Sequence, residues 1–105
     1  MPEIIVDRVD RDADGVIALG LLQFASWAEE GIMLSFRKRL NDYVYAIEQG
    51  VILKEFPVCS GKRFRIRVFC HAPVPRELLQ QMDEINRALL RRGIELHLVC
   101  IKVDA

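Results

Sequence analysis

Residues 14–31 form the most apolar segment of the chain and hold few polar positions. At 3.6 residues per turn, one stripe of this segment would contain Ile17, Leu21, Phe24 and Ala28. Other large apolar side chains spread around the remaining circumference. The pattern predicts a helix over residues 14–30, with Asp14 as its N-cap and Gly31 as its stop signal. Such a helix needs cover on more than one side, and a domain of this size can usually cover only one.

Apolar positions in residues 35–49 step by four, three, one and three, which predicts a second amphipathic helix ended by Gly50. The alternative for the same residues is a hairpin at Asn41-Asp42, because Tyr43-Val44-Tyr45 has β character. A third helix is predicted after Pro75, with an apolar stripe that runs to Gly93.

Strands are predicted before, between and after these helices. Residues 3–9 are a short β-branched run, and residues 51–56 and 63–70 read as a hairpin around a six-residue loop. Residues 63–70 alternate strictly between apolar and other positions. The last segment, residues 94–103, is so apolar that we predict a central strand or one covered on both faces.

The order is therefore β-α-α-β-β-α-β in a single α+β domain over residues 1–105. We expect a mixed or antiparallel sheet of about four strands with the helices on one face. A ferredoxin-like arrangement is compatible with this order and would pair residues 3–9 with residues 63–70. Glu3 and Asp7 would then lie opposite the arginines of the later strand.

Charge is balanced overall but unevenly distributed. Fifteen basic and fifteen acidic residues give a net charge of zero, yet residues 57–71 contain four basic residues and no acid. Three cysteines without a Cys-x-x-Cys spacing predict no disulfide framework and favour a reducing cytoplasm. The N-terminal apolar run is too short to span a bilayer, so we expect no membrane association.

Residues 58–65, Val-Cys-Ser-Gly-Lys-Arg-Phe-Arg, have the cysteine, five-residue gap and arginine of protein tyrosine phosphatases. The segment resembles the start of the low-molecular-weight class. That resemblance implies a phosphate-binding loop with Cys59 as nucleophile and Arg65 on the phosphate oxygens. Here the loop leads into a strand instead of a helix, and we interpret it as a hairpin tip.

Two cysteines and two histidines, Cys70, His71, His97 and Cys100, have the chemistry of a zinc site. Neighbouring residues of a strand point to opposite faces, so the four cannot converge. We expect both cysteines to be buried as small apolar residues, with no metal and no cofactor. No nucleophile is placed beside a base and an orienting group, so catalysis is not favoured.

The pattern favours a small cytoplasmic, non-catalytic interaction or regulatory module that forms a homodimer or binds a protein partner through helix 14–30. The expected interface residues are Leu21, Leu22, Phe24 and Trp27. The alternative is a nucleic-acid-binding protein that uses Arg63, Arg65, Arg67 and Phe69 on one strand face. In that case the succession of helices and an arginine-rich hairpin is similar to small ribosome-dependent RNase toxins.

Overall fold

The computed structural model describes residues 8–50, 52 and 63–101. In chain order the elements are β1 (Arg8–Arg11), β2 (Ile17–Gln23), α1 (Ile32–Glu48), β3 (Phe64–Cys70), α2 (Arg76–Leu90) and β4 (Ile94–Cys100). The α+β class and the four-stranded mixed sheet are confirmed. Among the described helices, none is both long and apolar enough to cross a membrane.

The sheet has the strand order β1-β2-β3-β4. The pair β1 and β2 is antiparallel, whereas β2 with β3 and β3 with β4 are parallel. Because β2 lies between β1 and β3 in this order, β1 does not lie beside β3, and the ferredoxin-like arrangement is wrong. The prediction of a central or doubly covered last strand is also wrong, since β4 is at the edge of the described sheet.

The predicted helix over residues 14–30 is wrong, because Ile17–Gln23 is a strand in the middle of the sheet. A turn over residues 12–16 joins it to β1, with Gly15 at φ 84° and its N–H bonded to the carbonyl oxygen of Asp12. Asp14 belongs to this turn and is not an N-cap. A central strand is apolar on both faces, so its composition matches that of a buried helix.

The remaining helix predictions are confirmed. The helix predicted over residues 35–49 is observed as Ile32–Glu48, with Gln49 as its C-cap, and the hairpin alternative is wrong. Gly31, predicted to end a helix, instead precedes this one, with φ 75°. The helix after Pro75 spans Arg76–Leu90. The strands predicted at 3–9 and 51–56, and the loop between 56 and 63, lie almost entirely outside the described residues.

Both helices cover the same side of the sheet. The sheet residues in the hydrophobic core alternate along the strands and share that side, which we call the covered face: Ile17, Leu19, Leu21, Ile66, Val68, Cys70 and Ile94. Helix α1 contributes Phe36, Leu40 and Tyr43, and α2 contributes Met82 and Leu89. The Tyr43 hydroxyl donates a 2.7 Å hydrogen bond to the Gly20 carbonyl oxygen and so ties α1 to β2.

Candidate binding surface on the open face of the sheet

The alternate residues of the four strands point away from both helices and form what we call the open face. Strand pairing arranges them in rows: Asp10, Ala18, Arg65 and Glu95; Arg8, Gly20, Arg67 and His97; Leu22, Phe69 and Val99. No described helix lies over these rows. The open face is therefore the side of the described sheet on which a partner could pack.

One half of the open face is a charge cluster around Arg65, whose side chain is only 11 % exposed. Its guanidinium donates to Asp12, to Asp14 at 3.0 Å and, through Nε, to Glu95 at 2.8 Å. Asp12 accepts a second hydrogen bond, from Nη2 of Arg67 at 2.6 Å. Each buried or half-buried charge in the cluster thus has an opposite charge beside it.

The electrostatics of the two aspartates reflect this pairing. The pKa of Asp12 lies below its ordinary value chiefly because Arg67 donates a hydrogen bond to it; burial opposes this, and Arg65 lowers the pKa further. The pKa of Asp14 is also lowered, first by the backbone N–H of Val16 and then by Arg65. Hydrogen bonds to these carboxylates and to Glu95 raise the pKa of Arg65. The ionised forms stabilise each other.

The charges of this face cancel in the described residues. The arginines are Arg8, Arg63, Arg65 and Arg67, and the carboxylates that contact them are Asp10, Asp12, Asp14 and Glu95. A phosphate-binding surface needs an excess of cationic donors. The cluster therefore offers a polynucleotide much less attraction than the arginine-rich sequence indicates.

The other half of the open face is an apolar band, which we define as Leu22, Phe24, Phe69 and Val99. Leu22, Phe69 and Val99 are register partners on three neighbouring strands. Phe24 follows β2 and stacks on His71, with ring centroids 4.2 Å apart. Leu22 is 41 % exposed and Phe24 is 46 % exposed. The band thus presents the exposed Leu22 and Phe24 beside the half-buried Phe69 and Val99, across the three strands β2, β3 and β4.

Gly20 makes room for this band. A Cβ atom at this position would lie 3.0 Å from the Cβ of Arg8 and 3.3 Å from Cε2 of Phe69. The Phe69 ring therefore packs directly over the backbone of β2 at Gly20, where a side chain would crowd it. The helix predicted over residues 14–30 includes Gly20, so the sequence did not predict this contact.

The structure separates the four residues predicted to form an interface. Leu21 and Trp27 are buried in the core, so they cannot contribute to a surface of the folded chain. Trp27 donates from Nε1 to the Ala72 carbonyl oxygen at 3.0 Å and meets Phe36 edge to face. Leu22 and Phe24 lie together in the apolar band, and their role in an interface remains a prediction.

The alternative set of nucleic-acid contacts is also divided. Arg63 is largely exposed, Arg65 and Arg67 hold carboxylates, and Phe69 belongs to the apolar band. The acidic partners of Arg65 and Arg67 come from the turn after β1 and from β4. Glu3 and Asp7, which the sequence proposed as partners, lie outside the described residues.

The cysteine and histidine positions form no metal site in the part of the chain that the structure describes, where no three such ligands, acidic residues included, come together. Cys70 is buried as predicted, but Cys100, on the strand at the edge of the described sheet, is exposed. Cys59 and most of the phosphatase-like segment lie outside the described residues. Arg65, the arginine of that motif, is in β3 and bound to carboxylates.

A second concave surface lies between the two helices. It is a groove of about 450 Å³ whose floor includes Leu40, Val44 and Ile85 and whose rim includes Arg37 and Arg92. Arg92 contacts Glu48 at 3.2 Å. Residues of both helices line the groove, and no acid and base among them point to a common position.

The model of one protein family matches residues 3–102 of the chain. The chain belongs to this family of unknown function, DUF6572. No curated protein and no solved structure matches it. Membership in DUF6572 assigns no activity to the chain.

Proposed function

We propose that the chain is a non-catalytic, cytoplasmic interaction or regulatory module that associates with a second copy of itself through the open face. The observation that carries the proposal is the apolar band on a sheet face with no described helix over it. Sheets bury an apolar face against another layer. Among the described residues, the two helices supply that layer on the covered face alone.

The composition of the band supports a protein partner. Phe24 and Phe69 are large aromatic groups, the kind that dominate the energetics of protein interfaces. They lie beside a charge cluster that would form a polar rim. Specific interfaces combine an apolar centre with such a rim, so this half of the face has the chemistry of a protein contact.

The charge cluster favours a second copy over a charged partner. Arg65 and Arg67 already pair with carboxylates of their own subunit, so the cluster demands no external counter-charge. In a two-fold dimer each apolar band would pack on its symmetry mate, which is self-complementary by construction. A strongly acidic or basic partner would gain little from a face whose charges cancel.

Static light scattering across a concentration series tests the proposal. We expect a dimer at micromolar concentration that dissociates on dilution. Phe24→Asp places a charge in the apolar band and is expected to give a folded monomer, since burial of an unpaired charge is costly. Leu79→Asp is the matched control, because Leu79 is similarly exposed but lies on α2.

Two results would contradict the proposal. One is a wild-type chain that stays monomeric at the highest attainable concentration. The other is tight RNA binding at physiological salt that weakens steeply as salt rises and is lost in Arg63→Gln. Such salt dependence is the signature of phosphate contacts and would favour the nucleic-acid alternative.

A further inference from the structure

Two cysteines occupy directly opposed positions on neighbouring strands. Cys70 and Cys100 end β3 and β4 and are register partners in the parallel pair. Both side chains point to the covered face, yet their environments differ. Cys70 is 2 % exposed, whereas Cys100 is exposed, at the edge of the sheet formed by the described strands.

Each thiol leans toward the strand that carries the other. The Sγ of Cys70 donates to the carbonyl oxygen of Val99, the residue before Cys100, at 3.6 Å. The Sγ of Cys100 donates to the carbonyl oxygen of His71, the residue after Cys70, at 3.6 Å. Both sulfur atoms therefore occupy the space between the ends of the two strands.

This spacing is compatible with a disulfide. Neighbouring strands lie about 4.7–4.9 Å apart, within the 4.4–6.8 Å range of Cα separations that disulfides span. Side chains that stand parallel on adjacent strands hold their Cβ atoms slightly farther apart than an unstrained disulfide does. A bond formed there is consequently easy to reduce.

We propose that Cys70 and Cys100 are a reversible oxidation site that closes into a disulfide by exchange with a low-molecular-weight disulfide such as oxidised glutathione. The accessible Cys100 thiolate attacks one sulfur of the small disulfide, forms a mixed disulfide and releases the first small thiolate. The Cys70 thiolate then attacks the Cys100 sulfur and releases the second. The two protein thiols are oxidised, the small disulfide is reduced to two thiols, and their protons pass through solvent to the two leaving thiolates.

The second step requires the buried Cys70 thiol to ionise. Burial raises the pKa of the Cys70 thiol, and the neighbouring Cys100 raises it further. A smaller fraction of Cys70 than of an ordinary thiol is therefore ionised at neutral pH, so the mixed disulfide on Cys100 should disappear faster as the pH rises.

The full chain with Cys59→Ser provides the test, because that substitution removes the third thiol. After incubation of the folded protein with oxidised glutathione, we expect the intact mass to fall by two hydrogen atoms. Peptide mapping should then find the Cys70–Cys100 linkage, and added reduced glutathione should reverse it. The expected linkage is lost completely in Cys59→Ser/Cys100→Ser.

A further variant keeps the test informative if a cysteine substitution weakens folding. Cys59→Ser/Cys70→Ser should stop at the mixed disulfide on Cys100 and gain the mass of one glutathione less two hydrogen atoms. A Cys59→Ser protein that also stops at this mixed disulfide would overturn the proposal. So would a linkage that appears only in urea, where strand register no longer exists.

Discussion

The two faces of the sheet are built from alternate residues of the same strands and differ in what they contribute. On the covered face Leu19, Leu21 and Ile66 are completely buried and supply apolar surface to folding. On the open face the same strands carry the charge cluster and the apolar band. The difference teaches that the fold depends on the covered face, whereas the open face leaves large apolar groups such as Leu22 and Phe24 exposed.

Two consecutive residues of β2 allow the sharpest test of this difference. Leu21 points to the covered face and is fully buried, while Leu22 points to the open face. We expect Leu21→Ala to lower the free energy of unfolding by about 3 kcal/mol and Leu22→Ala by less than about 1 kcal/mol. Denaturant unfolding at a protein concentration where the wild type is monomeric measures both values. Equal losses would show that the open face is as closely packed as the covered one.

The next largest effect concerns the charge cluster. Arg65→Gln leaves Asp12, Asp14 and Glu95 near each other without the guanidinium between them, so we expect a loss of about 2 kcal/mol. Arg63→Gln is the matched control, since the Arg63 side chain is exposed and its Nη2 lies as far as 3.9 Å from Oε1 of Glu95. We expect Arg63→Gln to lower the free energy of unfolding by less than about 0.5 kcal/mol. If both variants unfold at the same denaturant concentration, the cluster contributes no more than an ordinary surface ion pair.

The smallest effect is a pH dependence carried by Asp12 and Asp14. Their folded-state pKa values lie below the ordinary value of 3.8, so the stability they contribute is present above that pH. It is lost as the pH falls through the lowered folded-state values, when the two carboxylates become protonated. Asp12→Asn should make the loss of thermal stability on acidification below about pH 4 shallower. An unchanged slope would assign acid sensitivity to other carboxylates.

Local patterns predicted much of the secondary structure. The stripes around Leu40 and Met82 predicted both helices, and strict alternation predicted β3, because these signals repeat within one element. The apolar segment around Leu19 predicted a helix but forms a strand, since a central strand and a buried helix have the same composition. One local signal could have corrected it: Asp14-Gly15 between two apolar runs is typical of a hairpin turn.

The candidate site was predicted in part. The sequence predicts Leu22 and Phe24 as interface residues, and both are exposed on the open face. The predicted helix that grouped them with Leu21 and Trp27 is wrong. The sequence also foresaw that the arginines of β3 pair with carboxylates. It named Glu3 and Asp7, while the observed partners of Arg65 lie in the turn after β1 and in β4.

The sequence by itself determined the α+β class, the two amphipathic helices and the alternation of β3, because each depends on periodicity within a short segment. Only the tertiary structure decided the strand order, the edge position of β4, the partners of Arg65 and the apposition of Cys70 with Cys100. Those features depend on which distant segments become neighbours. Pairing across a sheet is non-local, and many registers satisfy the same local pattern until the whole core is packed.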